Sequence, residues 1–253
     1  MRKYKKNLGQ HFLNDKNIIN KIIAAIKPKI TDSFLEIGPG EGALTTPLLD
    51  QIKDIILIEK DKDLIPLLQS RYSESNNVQI INSDILKCNL SDYLFDKTRI
   101  IGNLPYNIST EIIFKLLSIA SNITDIHLML QKEVVDRMVA TPGSKIYGRL
   151  SVMTQVYFTI VKLFDISPNV FIPKPKVQSS YIKMIPKISP FDNNNEQKFK
   201  ELVSIMFTAR RKMIKTSLKD YFDENAFKKL SINPSHRPEV LSVEDFLRIS
   251  KYV

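Results

Sequence analysis

The stretch Ser33-Phe-Leu-Glu-Ile-Gly-Pro-Gly-Glu-Gly42 decides the fold of this chain. Its first half, Ser33 to Ile37, has the length and apolar composition of a short buried strand. Gly38 to Gly42 then supplies small residues that allow a ligand to approach the backbone closely. The apolar positions between residues 44 and 52 follow a helical pattern. A strand, a glycine turn and a helix in this order are typical of a nucleotide-binding turn in an α/β protein.

The same alternation of strands and helices continues along the chain. Apolar runs predict strands at Asp54–Ile58, Val78–Ile81, Arg99–Gly102 and Asp125–Leu130, and apolar stripes predict helices at 17–27, 61–72 and 109–118. Such alternation indicates a mostly parallel sheet with helices on both faces. In a sheet of this kind the ligand site lies at the carboxyl ends of the strands.

A change of pattern near residue 158 marks the second half of the chain. Strand-like pieces surround several prolines between Phe158 and Met184, and we expect a final hairpin-like pair there. Residues 186–195 are polar and proline-punctuated, which is typical of a linker. Helical patterns follow at Glu196–Phe207, Lys212–Phe222 and Val243–Tyr252. We therefore predict a first domain over residues 1–186 and a small all-helical domain over residues 196–253.

Composition excludes several classes of protein. Hydrophobic residues make up 43% of the 253 residues and charged residues 25%, as in ordinary soluble proteins, and no apolar run is long enough to span a bilayer. The basic start, residues 2–6, leads into a polar segment and not into the apolar core of a secretory signal. No heptad or exposed apolar repeat indicates a stable oligomer. We expect a soluble cytoplasmic protein, and a monomer by default.

The cysteine and histidine content argues against a metal or disulfide framework. Cys88 is the only cysteine, so an intramolecular disulfide is impossible and a reducing compartment is indicated. His11, His127 and His236 do not have the spacing of metal ligands. We predict no metal site.

The charge balance points to a polyanionic partner. Lys and Arg outnumber Asp and Glu by 37 to 27, which gives a net charge of +10 and a pI near 9.5. The excess is concentrated at residues 2–6 and in a run that contains Arg210, Arg211, Lys212, Lys215 and Lys219. Each run either contacts nucleic acid or forms a solvated charged face.

Acidic residues follow the next two predicted strands. Glu59 ends the second strand, where a carboxylate can accept both hydroxyls of a ribose. Asp84 follows the third strand and could accept the amine of an adenine. A dehydrogenase uses an acid in the position of Glu59 in the same way, so these signals alone do not separate hydride transfer from methyl transfer.

The segment Asn103-Leu-Pro-Tyr106, after the fourth strand, favours methyl transfer to an exocyclic amine. The N6 amine of adenine is a poor nucleophile because its lone pair is delocalised into the ring. The side-chain carbonyl of Asn103 and the backbone carbonyl before the ring of Pro105 could each accept one amine hydrogen and so favour a pyramidal nitrogen. Pro105 stiffens the turn, and Tyr106 offers a flat face to an unstacked base. The alternative is a strand-ending turn in which these residues serve conformation alone.

Taken together, the motifs resemble those of the small-subunit ribosomal RNA adenine N6,N6-dimethyltransferases (KsgA type), over nearly the whole chain. The matching segments are 9–14, 36–40, 103–109, 130–134, 147–152 and 171–177. The resemblance implies a Rossmann-like methyltransferase domain that binds S-adenosylmethionine, followed by a small all-helical domain. It implies two methyl transfers to each of two adjacent adenosines in the 3′-terminal hairpin of small-subunit rRNA, and a role in subunit biogenesis.

The resemblance also implies roles for individual residues. It assigns cofactor contacts to His11, Leu13, Gly38, Glu59, Asp84 and Asn103, although many family members carry Asn at the position of His11. Asn103, Pro105 and Tyr106 would act on the target amine. Phe171, in a segment that closes over the target adenine in the family, would be the second wall of the base pocket. Its alternative is a core aromatic beside a proline-stiffened loop. Independently of the resemblance, the basic run with Arg210, Arg211 and Lys212 lies in the predicted helical domain, where its cations can meet rRNA phosphates.

Two other functions stay open from the sequence. A large-subunit rRNA methyltransferase shares the Asn103–Ile108 pattern, whereas Tyr147–Val152 and residues 237–242 favour the small-subunit type. A ribosome-assembly factor would bind the particle as a checkpoint, with methylation secondary.

Overall fold

The computed structural model describes residues 9–191 and 195–252, and the chain divides into two compact units. The first unit comprises the residues up to Val135 together with Thr159–Pro186. The second comprises Asp136–Phe158 and the residues from Lys187 onward.

The helices and strands are numbered along the chain. The first part contains β1 (Phe12–Leu13), α1 (Lys16–Ile26), β2 (Ser33–Ile37), α2 (Thr45–Leu48), β3 (Asp54–Glu59), α3 (Ile65–Arg71), β4 (Val78–Asn82), β5 (Thr98–Asn103), α4 (Ser109–Leu117), β6 (Ile123–Gln131) and α5 (Lys132–Met138). It is followed by α6 (Arg149–Tyr157), β7 (Phe158–Ile166), β8 (Phe171–Ile172), β9 (Ser179–Pro186), α7 (Asn195–Thr208), α8 (Ile214–Ser217), α9 (Glu224–Lys229) and α10 (Val243–Tyr252). None of the described helices is both long and apolar enough to cross a membrane.

A seven-stranded sheet in the order β4-β3-β2-β5-β6-β9-β7 forms the centre of the first unit. The five strands from β4 to β6 are parallel, and β9 pairs antiparallel to β6. All five residues of β2 are buried, as expected of a central strand that is covered on both faces. The strand order reverses between β2 and β5, which is where an open α/β sheet binds its ligand. The predicted mostly parallel α/β fold is confirmed.

Two helices differ from the sequence prediction for local reasons. The helix predicted over 61–72 begins only at Ile65, because the Asp61 side chain accepts a hydrogen bond from the backbone of Asp63 (3.1 Å) and holds a turn. The helix expected between residues 44 and 52 is reduced to α2, and a 3₁₀ turn follows it at Leu49–Gln51.

The expected final pair of strands is present, because β7 and β9 are hydrogen-bonded neighbours at the edge of the seven-stranded sheet. A second, two-stranded sheet was not predicted. The strand β8 pairs antiparallel with β1 near the N-terminus, so that Leu13 lies opposite Phe171 and Phe12 opposite Ile172. This pairing joins two segments that are far apart in sequence. It places the N-terminal segment against the chain that precedes β9.

The second unit contains more of the chain than the predicted domain of residues 196–253. Residues 136–158 belong to it, and they are joined to the later helices by contacts such as Tyr157 Oη to Glu196 Oε1 (2.6 Å) and Gly143 N to Glu239 O (2.7 Å). Helix α6 is buried on almost every side, so it lacks the amphipathic stripe that marks a surface helix. The predicted helix over 212–222 is shorter, since α8 covers only Ile214–Ser217.

Candidate active site

A pocket of about 420 Å³ lies at the carboxyl ends of β2, β3 and β5. It is lined by residues 9–14, 36–41, 58–60 and 103–108, with Ser83 and Ile85 among the others. The glycine turn, the acid after β3 and the Asn-Leu-Pro-Tyr segment, which the sequence predicts to be neighbours, therefore share one cavity.

The glycine turn is shaped by backbone conformations that favour glycine. Gly38 has φ +67° and Gly40 has φ +61°, both in the left-handed region. A Cβ on Gly40 would lie 3.0 Å from the Phe12 ring, whereas a Cβ on Gly38 would meet nothing within 4 Å. The Gly38 amide donates to Ile58 O (2.9 Å), which fixes the turn to the end of β3. Gly38 thus leaves open space on the pocket side of the turn.

Glu59 is held in place at the end of β3 by two backbone amides. Its Oε2 accepts from Gly40 N (3.1 Å), and its Oε1 accepts from Asp61 N (2.7 Å). Burial raises the pKa of Glu59, and the two amide hydrogen bonds oppose that rise. The carboxylate is therefore preorganised at the edge of the pocket, where a ribose could donate to its remaining lone pairs.

Glu36 is a pocket residue that the sequence analysis did not identify. It is 2% exposed, and its Oε2 accepts a hydrogen bond from Thr45 Oγ1 (2.6 Å). Burial raises its pKa to about 7; the Thr45 hydrogen bond opposes the rise, and the nearby Glu59 charge adds to it. Two buried carboxyl groups in one cavity favour a ligand that carries positive charge. An acid inside the apolar strand β2 was the signal that could have revealed it.

Asp84 lies beside the pocket but is not one of its lining residues. Its carboxylate forms a salt bridge with Lys60 (2.8 Å) and accepts a hydrogen bond from Leu86 N (3.0 Å). The Lys60 hydrogen bond is the main cause of its lowered pKa. The pocket is instead lined at this point by its neighbours Ser83 and Ile85 and by Lys60.

Asn103 has a fixed side-chain orientation at the end of β5. Its Nδ2 donates to the backbone carbonyl of His11 (2.8 Å), so the opposite end of the amide, Oδ1, is the acceptor that this residue offers. The turn behind it is closed by Ile108 N, which donates to Pro105 O (3.3 Å). Within the described part of the chain we find no hydrogen bond to Leu104 O, the carbonyl that precedes the proline ring.

Tyr106 and His11 form a stacked pair at the pocket. Their ring centroids are 5.2 Å apart with an interplanar angle of 29°. The Tyr106 hydroxyl pairs with Ser179 Oγ (2.6 Å), and His11 Nδ1 donates to Pro173 O (2.6 Å). Burial raises the pKa of Tyr106, so the phenol is neutral at physiological pH. The two rings and their partners thus join the N-terminal segment, the Asn-Leu-Pro-Tyr turn and the loop before β9.

Phe171 occupies the core and does not line the pocket. It is 2% exposed and belongs to a hydrophobic core cluster that also contains Leu13 and Tyr181. Leu13, its partner across the β1–β8 pair, is buried in the same cluster and also lines the pocket. Strand pairing with β1 thus places the Phe171 ring in the core. Its role as the second wall of the base pocket stays a prediction.

Comparison with known proteins supports a single family. The model of the family described as "Ribosomal RNA adenine dimethylase" matches residues 1–253. This chain belongs to the ribosomal RNA adenine dimethylase family. Relatives named "Ribosomal RNA small subunit methyltransferase A" include those of Marinomonas sp. (strain MWYL1), 44% identical over 99% of this chain and 96% of the relative, and of Wigglesworthia glossinidia brevipalpis, 46% identical over 99% and 97%. A crystal structure of a dimethyladenosine transferase from Plasmodium falciparum is 30% identical, covers 94% of this chain and 96% of its own, and has a TM-score of 0.83.

A dimethylase of this family is an S-adenosylmethionine-dependent rRNA adenine methyltransferase, and the pocket fits that cofactor. The open side of Gly38 gives room for close backbone approach. Glu59 provides acceptors suited to ribose hydroxyls, and a cationic ligand beside the buried Glu36 would favour the ionised form of that carboxyl group. Asn103 adds its oriented carbonyl to the lining of the same cavity.

Other predicted site residues of this dimethylase lie in the second unit. Arg210 is tied to that unit, since its Nε contacts Glu239 Oε2 (3.2 Å) and its Nη2 donates to Lys145 O (2.7 Å). Arg211 and Lys212 are exposed. The basic run at residues 2–6 lies outside the described residues. Over residues 9–191 and 195–252 no group of three or more His, Cys, Asp or Glu side chains could hold a metal ion.

Proposed function

We propose that this protein dimethylates the N6 amines of two adjacent adenosines in the 3′-terminal hairpin of small-subunit (16S) rRNA, and thereby takes part in small-subunit biogenesis. The observation that carries the proposal is the Asn103 side chain, whose nitrogen is held by His11 O (2.8 Å) so that its carbonyl remains for an amine. The relatives' small-subunit name supports this substrate over a large-subunit one.

The protein activates the amine mainly by accepting its hydrogens. Asn103 Oδ1 takes one, and the Leu104 carbonyl before the rigid Pro105 ring takes the other, which favours a pyramidal nitrogen with a localised lone pair. Bound S-adenosylmethionine supplies an electrophilic methyl group. Alignment and exclusion of water do the rest, a proximity effect that requires no strong base on the protein.

The target adenine reaches the pocket only after it leaves its stack. Tyr106 provides the aromatic face, and its hydroxyl contact with Ser179 (2.6 Å) fixes the ring plane. Aromatic stacking on an extruded base is worth roughly 1–3 kcal/mol. As the new nitrogen–carbon bond forms, the methyl–sulfur bond breaks, and the resulting cationic nitrogen loses one proton to solvent. The monomethylated amine then keeps one hydrogen, so one of the two acceptors gives up its partner before the second transfer.

Exposed cations of the second unit position the rRNA through its phosphates. Arg211 and Lys212 are exposed, and the segment that follows them is fixed to the loop around His236, because Ile214 N donates to His236 O (2.8 Å). Arg210, held by Glu239, supports this surface from within the unit. Changing Arg211 and Lys212 to Gln should weaken particle binding and leave cofactor affinity unchanged. Lys228→Gln with Lys229→Gln, on exposed positions of α9, is the matched control.

We also propose that the protein acts as a monomer in the cytoplasm, with the small ribosomal subunit as its partner. Its net charge of +10 suits a ribosomal particle. No membrane partner enters the proposal.

The test is incubation with labelled S-adenosylmethionine and unmethylated small subunits, followed by nucleoside analysis of the rRNA. Dimethyladenosine at two adjacent 3′-terminal sites is expected. Label in large-subunit rRNA alone would instead support the large-subunit reading. If Asn103→Ala supports subunit assembly without methylation, the assembly role outweighs catalysis.

A further inference from the structure

The loop between β8 and β9 is fastened to the pocket at both ends. At its start, Pro173 O accepts the hydrogen bond from His11 Nδ1 (2.6 Å). At its end, Ser179 Oγ pairs with the Tyr106 hydroxyl (2.6 Å). Because His11 and Tyr106 line the pocket and stack on each other, residues 174–178 lie beside the place where the target base would enter.

Two lysines in this loop carry unneutralised charge. Lys174 and Lys176 are exposed, and within the described residues neither forms a salt bridge with an acid. The loop, residues 173–178, contains no Asp or Glu that could pair with the lysines. The nearby side chains of Ile172 and Val177 are apolar and are 43% and 44% exposed. Pro173 and Pro175 fix their own φ angles and limit the conformations of the segment.

We propose that Lys174 and Lys176 bind the phosphates on either side of the extruded adenosine. The inference rests on the proposed function, because it takes an RNA adenosine as the substrate of the pocket. Lysine ammonium groups suit this task as compact point charges that do not read bases. The loop would hold the RNA strand next to the pocket.

This arrangement separates two contributions to RNA affinity. Contacts made by the second unit would raise the affinity for the whole particle. Contacts made by Lys174 and Lys176 would raise the affinity for the nucleotides that flank the reacting base. A short RNA hairpin that carries only the target site should therefore depend on the loop lysines.

The experiment compares Lys174→Gln/Lys176→Gln with wild type on a synthetic 3′-terminal rRNA hairpin and on unmethylated small subunits. We expect the KM for the hairpin to rise roughly tenfold with kcat little changed. The slope of log affinity against log salt should become shallower by about 1.4, the value for two single-strand phosphates. Cofactor affinity, measured by calorimetry, should not change, and Lys174→Arg/Lys176→Arg should restore hairpin binding.

The matched control is Lys29→Gln/Lys97→Gln, which removes the same charge from exposed positions before β2 and β5. The proposal would be overturned if Lys174→Gln/Lys176→Gln and this control had the same KM for the hairpin and the same salt slope. So would weaker binding to the particle with unchanged binding to the hairpin, which would point to a ribosomal protein as the contact. If the wild type transfers no methyl group to any rRNA adenosine, the proposed function itself fails, and the two failures are thus distinct.

Discussion

The two ends of strand β5 carry buried or half-buried polar side chains that differ in their hydrogen-bonding partners. Arg99, near the start of the strand, donates to Asp125 through Nε (2.7 Å) and Nη2 (2.9 Å), to Asp32 (2.7 Å) and to Ile26 O (2.7 Å). Asn103, at the end of the strand, uses its nitrogen for His11 O and turns its carbonyl toward a cavity. The first group is closed within the protein, and the second is left open to a ligand.

The closed end is neutralised from several directions. Asp125 also contacts His127 Nε2 (3.2 Å) and Lys183 Nζ (3.2 Å). Burial alone would raise the pKa of Asp125, but the hydrogen bonds from His127 and Arg99 outweigh it and hold that pKa far below its ordinary value. The comparison teaches that burial of a polar group does not mark function. An unfilled hydrogen-bonding capacity that faces a cavity does.

The largest expected effect comes from a substitution that removes the ion pairs of Arg99 near the start of β5. Arg99→Met leaves Asp125 and Asp32 without their main partner, and we expect a loss of about 3–5 kcal/mol in the free energy of unfolding. Urea denaturation measures it. The exposed pair Lys53–Asp54 (3.8 Å) provides the control, since Lys53→Met should change stability by less than about 1 kcal/mol. Equal effects of the two substitutions would contradict the distinction.

Phe171→Ala tests whether core packing beside the pocket supports cofactor binding. Phe171→Ala should cost about 3–5 kcal/mol, because a core ring is removed. It should also weaken cofactor binding, since β8 holds Leu13 and the N-terminal segment in place. Denaturation and calorimetry test both. Normal stability and cofactor affinity with poor methylation would instead support Phe171 as a wall of the base pocket.

Glu36 should make the stability of the ligand-free protein depend on pH. The pKa of Glu36 is raised from 4.5 to about 7. Its contribution to the free energy of unfolding is therefore fully present below about pH 4.5 and is lost as pH rises through 7. Above that pH, Glu36 causes no further change in stability. The shift corresponds to about 3 kcal/mol. Glu36→Gln should remove this fall between pH 5 and pH 8 in urea denaturation. The exposed Glu111→Gln should retain it; an identical pH profile for Glu36→Gln and wild type would contradict the assignment.

The smallest expected effect is that of Tyr106→Phe. It removes the hydrogen bond to buried Ser179 and should cost about 1 kcal/mol of stability. Methylation should change little in this variant because the ring face remains. Tyr106→Ala should bind the cofactor nearly normally but should methylate poorly. Equal loss of turnover in both variants would assign the role to the hydroxyl.

Sequence patterns located the open end of the sheet well. Hydrophobic runs fixed where β2, β3 and β5 end, and ligand-facing residues follow parallel strands, so Gly38, Glu59 and Asn103 could be predicted. They did not show Glu36, which is hidden inside a buried strand.

Long-range contacts fix the positions of other side chains. The β1–β8 pair places Phe171 in the core, and the Lys60 salt bridge occupies Asp84. Neither contact leaves a local signal in the sequence. Helix α6 was missed because it is buried on almost every side and shows no amphipathic period.

The most direct test of the open end is single-turnover methyl transfer by Asn103→Ala at saturating S-adenosylmethionine, with cofactor affinity and stability measured on the same protein. The account predicts a rate lower by roughly 10²–10³, the usual cost of removing one preorganised transition-state contact. Cofactor affinity should stay within a few-fold, and the lost His11 hydrogen bond should cost about 1 kcal/mol. An unchanged transfer rate, or a loss fully explained by weaker cofactor binding, would contradict the role of Asn103 as the acceptor that activates the amine.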